Sequence, residues 1–236
     1  GVAGLLLPLP DALDERVAAE LVAALSLGVE QARDDHLGRD AARALTRNSP
    51  AEGRRRAQHL NDCGAEAGAA LGAAAIAWRD RGVVGIDIAG PESSTFRVAD
   101  YRRLFRRARQ YGLGLTVHTG ESGPAEEVAR VVELLEPDRI GHGVKAAYDP
   151  RAMAMIRDRG IVLEICPTSN LNTRVVSGWD EFRWIFDTLR RNEVRYTINT
   201  DGPEMLKTYI RDEMATLGRL GILSLADMEH AAATSL

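Results

Sequence analysis

At 236 residues, the chain is long enough for one large α/β domain or two small ones. Its 27% charged and 45% hydrophobic residues are those of an ordinary globular protein, and a net charge of −4 gives no global attraction for nucleic acid or an anionic membrane. The longest apolar run, Gly1–Leu9, falls far short of the roughly 18 residues a membrane span needs, and the two cysteines, Cys63 and Cys166, offer no disulfide framework, so a reducing cytoplasm is the expected compartment.

In chain order, Val2–Leu7 reads as a strand, Asp14–Ala32 as a helix and Ala41–Thr46 as a poor strand candidate. Glu52–Asp80 reads as helical, with an Ala/Gly-rich middle from Gly64 to Ala77. From Arg81 onward strands and helices alternate. Val83–Ala89 is a buried strand, Val98–Tyr111 an amphipathic helix and Leu113–His118 a second strand. Pro124 opens a helix to Leu135. Arg139–His142 is a short strand, and Asp149-Pro150 caps a helix to about Asp158. Ile161–Cys166 is a strand leading into a Pro167-Thr168-Ser169-Asn170 turn, then Trp179–Arg191 a helix and Val194–Asn199 a strand. Pro203–Leu220 and Ser224–Thr234 are helical. Strands that read as apolar throughout, separated by helices of ordinary length, predict βαβ units around a parallel sheet covered on both faces. Arg102, Arg103, Arg106, Arg107 and Arg109 fall on a helical pattern with Leu104 and Phe105, as a solvated outer face does. No linker or internal repeat interrupts the chain, and one domain over 1–236 is expected.

The ends of these strands carry the chemistry. In a parallel barrel the C-terminal strand ends converge on one mouth. His118, His142 and Asp201 would stand there. Neutral imidazole and carboxylate are good zinc ligands, and a bound divalent metal brings the pKa of water to about 7. Glu121 lies three residues past His118, beyond the turn at Gly120, and can serve as an acid/base. A lone histidine is most often a satisfied structural residue; agreement among several strand ends reverses that expectation. Asp87 reads either as a partner behind a ligand histidine or as a turn cap. Cys166 reads as a small buried hydrophobe, Ser169 and Asn170 as satisfying backbone groups in a turn, and His36, His59 and His230 as surface residues.

The segments VVGIDIAGPE (83–92), LTVHTGE (115–121), RIGHG (139–143), LEICPTSN (163–170) and NTDGPE (199–204) resemble, in order and at barrel spacing, the adenosine deaminase family of the amidohydrolase superfamily. The resemblance implies a (β/α)8 TIM-type barrel of the metal-dependent hydrolase kind, one zinc per site and a purine nucleoside as the small-molecule partner. It implies that His118 and Asp201 bind the metal and that Glu121 protonates purine N1. His142 would orient the attacking hydroxide and help remove its proton, and the backbone N–H of Gly90 would meet purine N3. Hydroxide then adds at C6 and ammonia leaves.

Two departures shape the expectation. The family carries a His-x-His pair on its first strand, supplying two further zinc ligands; this sequence has 5 histidines and no such pair. Aligned backward from the matched motifs, Val2–Leu9 falls near the second barrel strand, so the first strand is expected to be missing from the chain's N-terminus. Second, Gly202 stands where the family usually has a second Asp that hydrogen-bonds purine N7. Loss of such a group loosens discrimination and opens adenosine derivatives such as aminodeoxyfutalosine, and adenine, as substrates. A metal-free pseudoenzyme that binds a purine or a protein is the rival reading favoured by the missing pair. Another amidohydrolase, acting on an ester or lactone, is a weaker one, because a ring-nitrogen proton donor has no job there.

Overall fold

The computed structural model describes residues 55–57, 72–89 and 97–235, all within one compact unit, Arg54–Leu236. The expected elements Val2–Leu7, Asp14–Ala32 and Ala41–Thr46 lie outside the described residues, as do Gly90, Cys63, His36 and His59.

The strands are β1 (Arg55–Ala57), β2 (Val83–Ile88), β3 (Gly114–Thr119), β4 (Arg139–His142), β5 (Val162–Ile165) and β6 (Arg195–Ile198). Among the described residues they form one 6-stranded parallel sheet whose neighbours follow chain order. A doubly wound sheet reverses its order at a switch point; this one does not. Right-handed crossovers between sequential parallel neighbours put every connecting helix on the same face, which is how a (β/α) barrel wall is built. Among the described residues, the α-helices that follow β2 are α1 (Arg102–Gln110), α2 (Ala125–Leu135), α3 (Pro150–Asp158), α4 (Pro167–Asn172), α5 (Trp179–Arg191), α6 (Pro203–Leu206), α7 (Ile210–Arg219) and α8 (Leu225–Thr234). None of the described helices is long and apolar enough to cross a membrane.

Local chemistry explains the helix ends. The Asp149 side chain accepts from Arg151 N at 2.8 Å, and Pro150 occupies the first helical position of α3. In α5, Asp180 and Glu181 sit in the first turn and Arg190 and Arg191 in the last, each complementing the helix dipole. Buried Phe182, Ile185, Phe186 and Leu189 repeat at i, i+3, i+4, i+7 and turn one stripe of α5 inward. Ser224 and Asp227 cap α8 reciprocally, through Asp227 N–H to Ser224 Oγ (3.2 Å) and Ser224 N–H to Asp227 Oδ2 (2.8 Å).

The strands are not apolar on both faces as expected. Ile86, Leu115, Ile140, Leu163 and Ile198 point to the helices and are nearly inaccessible, joining Phe105, Phe182 and Phe186 in the core. The alternate positions are mostly polar or glycine, with Val83 and Val162 the apolar exceptions. Register sets Asp87 beside Thr116, Thr116 beside Arg139, His118 beside Gly141, Gly141 beside Glu164, and Glu164 beside Thr197. Paired residues share a face of a parallel sheet, so these groups line the inside of the arc.

Four further differences from the sequence reading have local causes. Arg55–Ala57, expected within a helix, is a strand because it pairs in parallel with β2, setting Ala57 beside Ile86; tertiary pairing overrides weak propensity. The helix expected from Val98 begins as a 3-10 turn, Val98–Tyr101. The expected turn at 167–170 is instead the helix α4, with Pro167 at its first position. The expected helix Pro203–Leu220 breaks at Lys207, whose φ of 53° is left-handed.

Candidate active site

The floor of the site is a polar network on the inner face. Arg139 Nε donates to Glu164 Oε1 at 2.5 Å and its Nη2 to Thr197 Oγ1 at 3.5 Å; Asn199 Nδ2 also donates to Thr197 Oγ1, at 2.9 Å. Pairing of this kind is what lets charged groups sit within a strand layer without a large desolvation penalty.

Above that floor β3 delivers His118. Its Nδ1 lies 3.0 Å from Oδ1 of Asp87, a residue only 1% exposed. An ionised carboxylate only accepts, so Nδ1 carries the hydrogen and Nε2 keeps its lone pair. Of the two readings open for Asp87, the structure bears out the partner behind a histidine. Burial pushes the His118 imidazole down, but the Asp87 hydrogen bond and charge, helped by Glu164 and Asp201, outweigh it and the net direction is upward. The ring needs space across the sheet: a Cβ on Gly141 would stand 2.7 Å from two of its carbons. Gly120 then makes the turn that reaches Glu121. Its φ is +70°, and a Cβ there would meet Val128 at 2.7 Å and the Gly143 backbone at 3.1 Å.

His142 and Asp201 end their strand segments with left-handed backbones, φ 60° in both. For non-glycine residues this costs ~1–3 kcal/mol and concentrates at functional sites. The His142 ring is buried, 5.5 Å from the His118 ring centre and edge-on to it. Its Nε2 lies 3.6 Å from Glu121 Oε2. The Asp201 carboxylate accepts from Ser169 Oγ at 2.7 Å. His118, Glu121 and His142 are thus joined by short contacts. Asp201 is tied to them through α4, whose next residue, Asn170, places Nδ2 3.0 Å from His142 Nδ1 and 3.4 Å from Glu121 Oε1.

Ser169 and Asn170 were expected only to satisfy backbone groups; the structure gives them side-chain partners in the site. Their place just past a strand's C-terminal end was the signal that could have found them. Helix α7 carries a buried carboxyl. Glu213 is 1% exposed, and its Oε1 accepts a hydrogen bond from Thr208 Oγ1 at 3.2 Å. Burial pushes its carboxyl above the ordinary range, and hydrogen bonding partly opposes the shift. Cys166 is buried, and burial, with the charges of Asp201, Glu164 and Glu121, drives its thiol far up, so it packs as a small hydrophobe and not as a thiolate nucleophile. His230 is exposed on α8, as expected.

His118 Nε2 and the Asp201 carboxylate are the right donor types for zinc, and the Asp87–Nδ1 bond is the usual way a ligating imidazole is oriented. Among the described residues no group of three His, Cys, Asp or Glu closes around a common point. Catalytic zinc takes three protein ligands, so the described residues fit part of such a site and not the whole of it. Gly202 is half-buried with an ordinary φ of −112°, and a Cβ there would meet Met205 at 3.4 Å, so a side chain fits.

A singly wound parallel sheet with His, Asp and Glu at its strand ends has the architecture of a (β/α) barrel wall with a polar rim. The family model described as adenosine deaminase matches residues 55–236. The chain belongs to the adenosine deaminase family. Over 147 residues it is 34% identical to an adenosine deaminase of Clostridium botulinum, covering 62% of this chain and 44% of that protein. It is 37% identical over 152 residues to an aminodeoxyfutalosine deaminase of Acidothermus cellulolyticus (61% and 42%) and 42% identical over 131 residues to an adenine deaminase of Rhizobium rhizogenes (56% and 40%). Among solved structures, Arabidopsis ADAL complexed with IMP superposes with a TM-score of 0.65 at 25% identity, covering 76% of this chain and 51% of that one. A cog1816 amidohydrolase from Burkholderia ambifaria, with bound Zn, shares the fold with a TM-score of 0.64 at 23% identity (75% and 49%). The chain spans about half the length of these relatives, or less.

Proposed function

We propose that this chain carries the chemistry of a zinc-dependent hydrolytic deaminase, converting a 6-aminopurine nucleoside and water to the 6-oxo product and ammonia. The observation that carries this reading is the clustering of His118, Glu121 and His142, drawn from strand ends far apart in sequence, with Asp201 bound to the same short helix. The relatives are described as deaminases of adenosine, aminodeoxyfutalosine and adenine, all of which share the 6-amino ring.

His118 Nε2 and Asp201 would hold the metal, with its remaining ligands coming from outside the described residues. Zinc, when bound, supplies a water acidic enough to yield hydroxide near neutral pH, and the Burkholderia relative with bound Zn supports that assignment. Glu121 supplies a proton to ring N1 as the water oxygen adds at C6. The negative charge that would build on the ring is thereby avoided. Buried His142 faces the same oxygen and orients it. Collapse of the tetrahedral carbon breaks the C6–N bond: the amino group leaves as ammonia with the proton the water gave up, and the C6 hydroxyl proton passes to Glu121, restoring it as the 6-oxo group forms. The backbone of Gly90 is proposed to meet purine N3.

Gly202 decides the finer substrate. With no carboxylate for N7, the site recognises the ring less strictly, and an adenosine derivative with a larger 5′ substituent, such as aminodeoxyfutalosine, is the second reading, supported by the 37% identical Acidothermus relative. Loss of the adenine absorption band with stoichiometric ammonia release tests deamination. Comparing kcat/KM for adenosine, adenine and the 5′-substituted nucleoside ranks the substrates. Zinc below about 0.1 equivalent after loading, against the one metal a catalytic site holds, would instead favour a purine-binding pseudoenzyme.

A further inference from the structure

We propose that Asn170 is a positioning residue that holds His142 as its Nε2–H tautomer, opposite to the tautomer held at His118. The consequence for catalysis rests on the deamination reading; the tautomer assignment does not.

The argument begins with the amide. Asn170 is fully buried, at 0% exposure, in the first turns of α4. A single atom, Nδ2, makes both contacts: 3.4 Å to Glu121 Oε1 and 3.0 Å to His142 Nδ1. Amide nitrogen and oxygen are told apart by their partners. The amide atom set against Glu121 Oε1 is the NH2 group, and that oxygen accepts from it. That group has two hydrogens and accepts nothing. Its second hydrogen therefore meets His142 Nδ1, which has to be the bare, accepting nitrogen. The ring proton is left on Nε2, on the side of Glu121 Oε2 at 3.6 Å.

His118 has the reverse arrangement. The acceptor Asp87 Oδ1 draws the hydrogen to Nδ1 and leaves Nε2 bare. Two imidazoles whose centres are 5.5 Å apart thus present opposite faces to the cavity: a lone pair from His118 and an N–H from His142. A bare Nε2 can ligate a cation; a protonated one donates to an oxygen. The type of residue behind each ring, Asp for one and Asn for the other, assigns the two jobs. Among the described residues, Asn170 Oδ1 is buried without a partner. A buried orphan acceptor is unfavourable, and its presence is consistent with an amide placed for what its NH2 group does.

The test is 15N long-range correlation spectroscopy of the histidine rings in the full chain, near neutral pH, with His142 assigned by the signals lost in His142→Gln. The expected result is a far-downfield, unprotonated Nδ1 and an upfield Nε2–H for His142, with the reverse pattern for His118. Asn170→Asp replaces the donor by an acceptor of the same size and is expected to invert His142, so that both rings show Nδ1–H. A wild-type His142 carrying its proton on Nδ1, or an Asn170→Asp spectrum unchanged from wild type, would overturn the proposal. The wild-type spectrum decides alone if the variant does not fold. Ammonia release is scored separately: a chain without turnover counts against the deaminase reading and leaves the tautomer result intact.

Discussion

The two faces of the sheet divide the protein's work between alternate residues of the same strands. The helix-facing side is closed and apolar: Ile140, Leu163 and Phe186 are all 0% exposed. The inner side, one residue out of step, carries Asp87, His118, Arg139, Glu164 and Thr197, paired with one another and partly open. Stability comes chiefly from burying the first set, at about 1.5–3 kcal/mol per large side chain. The second set contributes little by that route, and beyond it the strand-end residues His142 and Asp201 are held in left-handed geometries that cost stability. A barrel can therefore change its chemistry on one face while its core on the other stays intact.

Mutations can break that division. The largest effect is expected at Glu121→Gln. Turnover should fall by ~10²–10⁴-fold, the usual size of a lost general acid/base, with unfolding free energy changed by less than about 1 kcal/mol; ammonia release and urea denaturation check the two halves. On the opposite face, Phe186→Ala should cost about 3–5 kcal/mol of stability while turnover per folded molecule stays near wild type. A loss of chemistry there would mean that the faces are coupled. Gly141→Ala tests the seam. The new Cβ, 2.7 Å from the His118 ring, should cost ~1–3 kcal/mol as overpacking and also displace the ring, so stability, metal content and turnover all fall together.

The smallest effect concerns Glu213, buried on α7 and hydrogen-bonded to Thr208. Its carboxyl pKa is raised in the native state above the ordinary 4.5. Its favourable contribution is then complete below that ordinary value and is lost as pH rises through the folded value. Glu213→Gln should flatten this part of the stability profile, seen in denaturation midpoints measured across acidic pH. A profile identical to wild type would show that the buried carboxyl is not perturbed.

Much of this architecture was legible in the sequence where the signal is local. The helix Trp179–Arg191 coincides in both readings because its buried stripe repeats at helical spacing within one segment. The strands β3 to β6 were visible for a similar reason, each a short apolar stretch closed by Gly, Pro or a polar residue. His118, Glu121, His142 and Asp201 stood out because they end such stretches. What was hidden depends on distant partners. Asn170 meets groups 28 and 49 residues away, and Ser169 meets one 32 away; their place past a strand end points to the site, but not to which distant groups they meet. Strand β1 is a three-residue segment, Arg55-Arg56-Ala57, with no β pattern of its own, and it exists through pairing with β2. The polar inner face escapes a reading of the strands as apolar throughout, because Asp87, Thr116 and Glu164 are one side of an alternation that shows only once the strands are paired.

The central claim is that groups gathered at the strand ends act together as one deaminating site. Ammonia release from adenosine, by zinc-loaded wild-type chain and Glu121→Gln side by side, tests it most directly. The account expects release from the wild type that disappears in the variant at unchanged folding and zinc content. Equal release from both, or none from the zinc-loaded wild type with any of the three 6-aminopurine substrates, would contradict it.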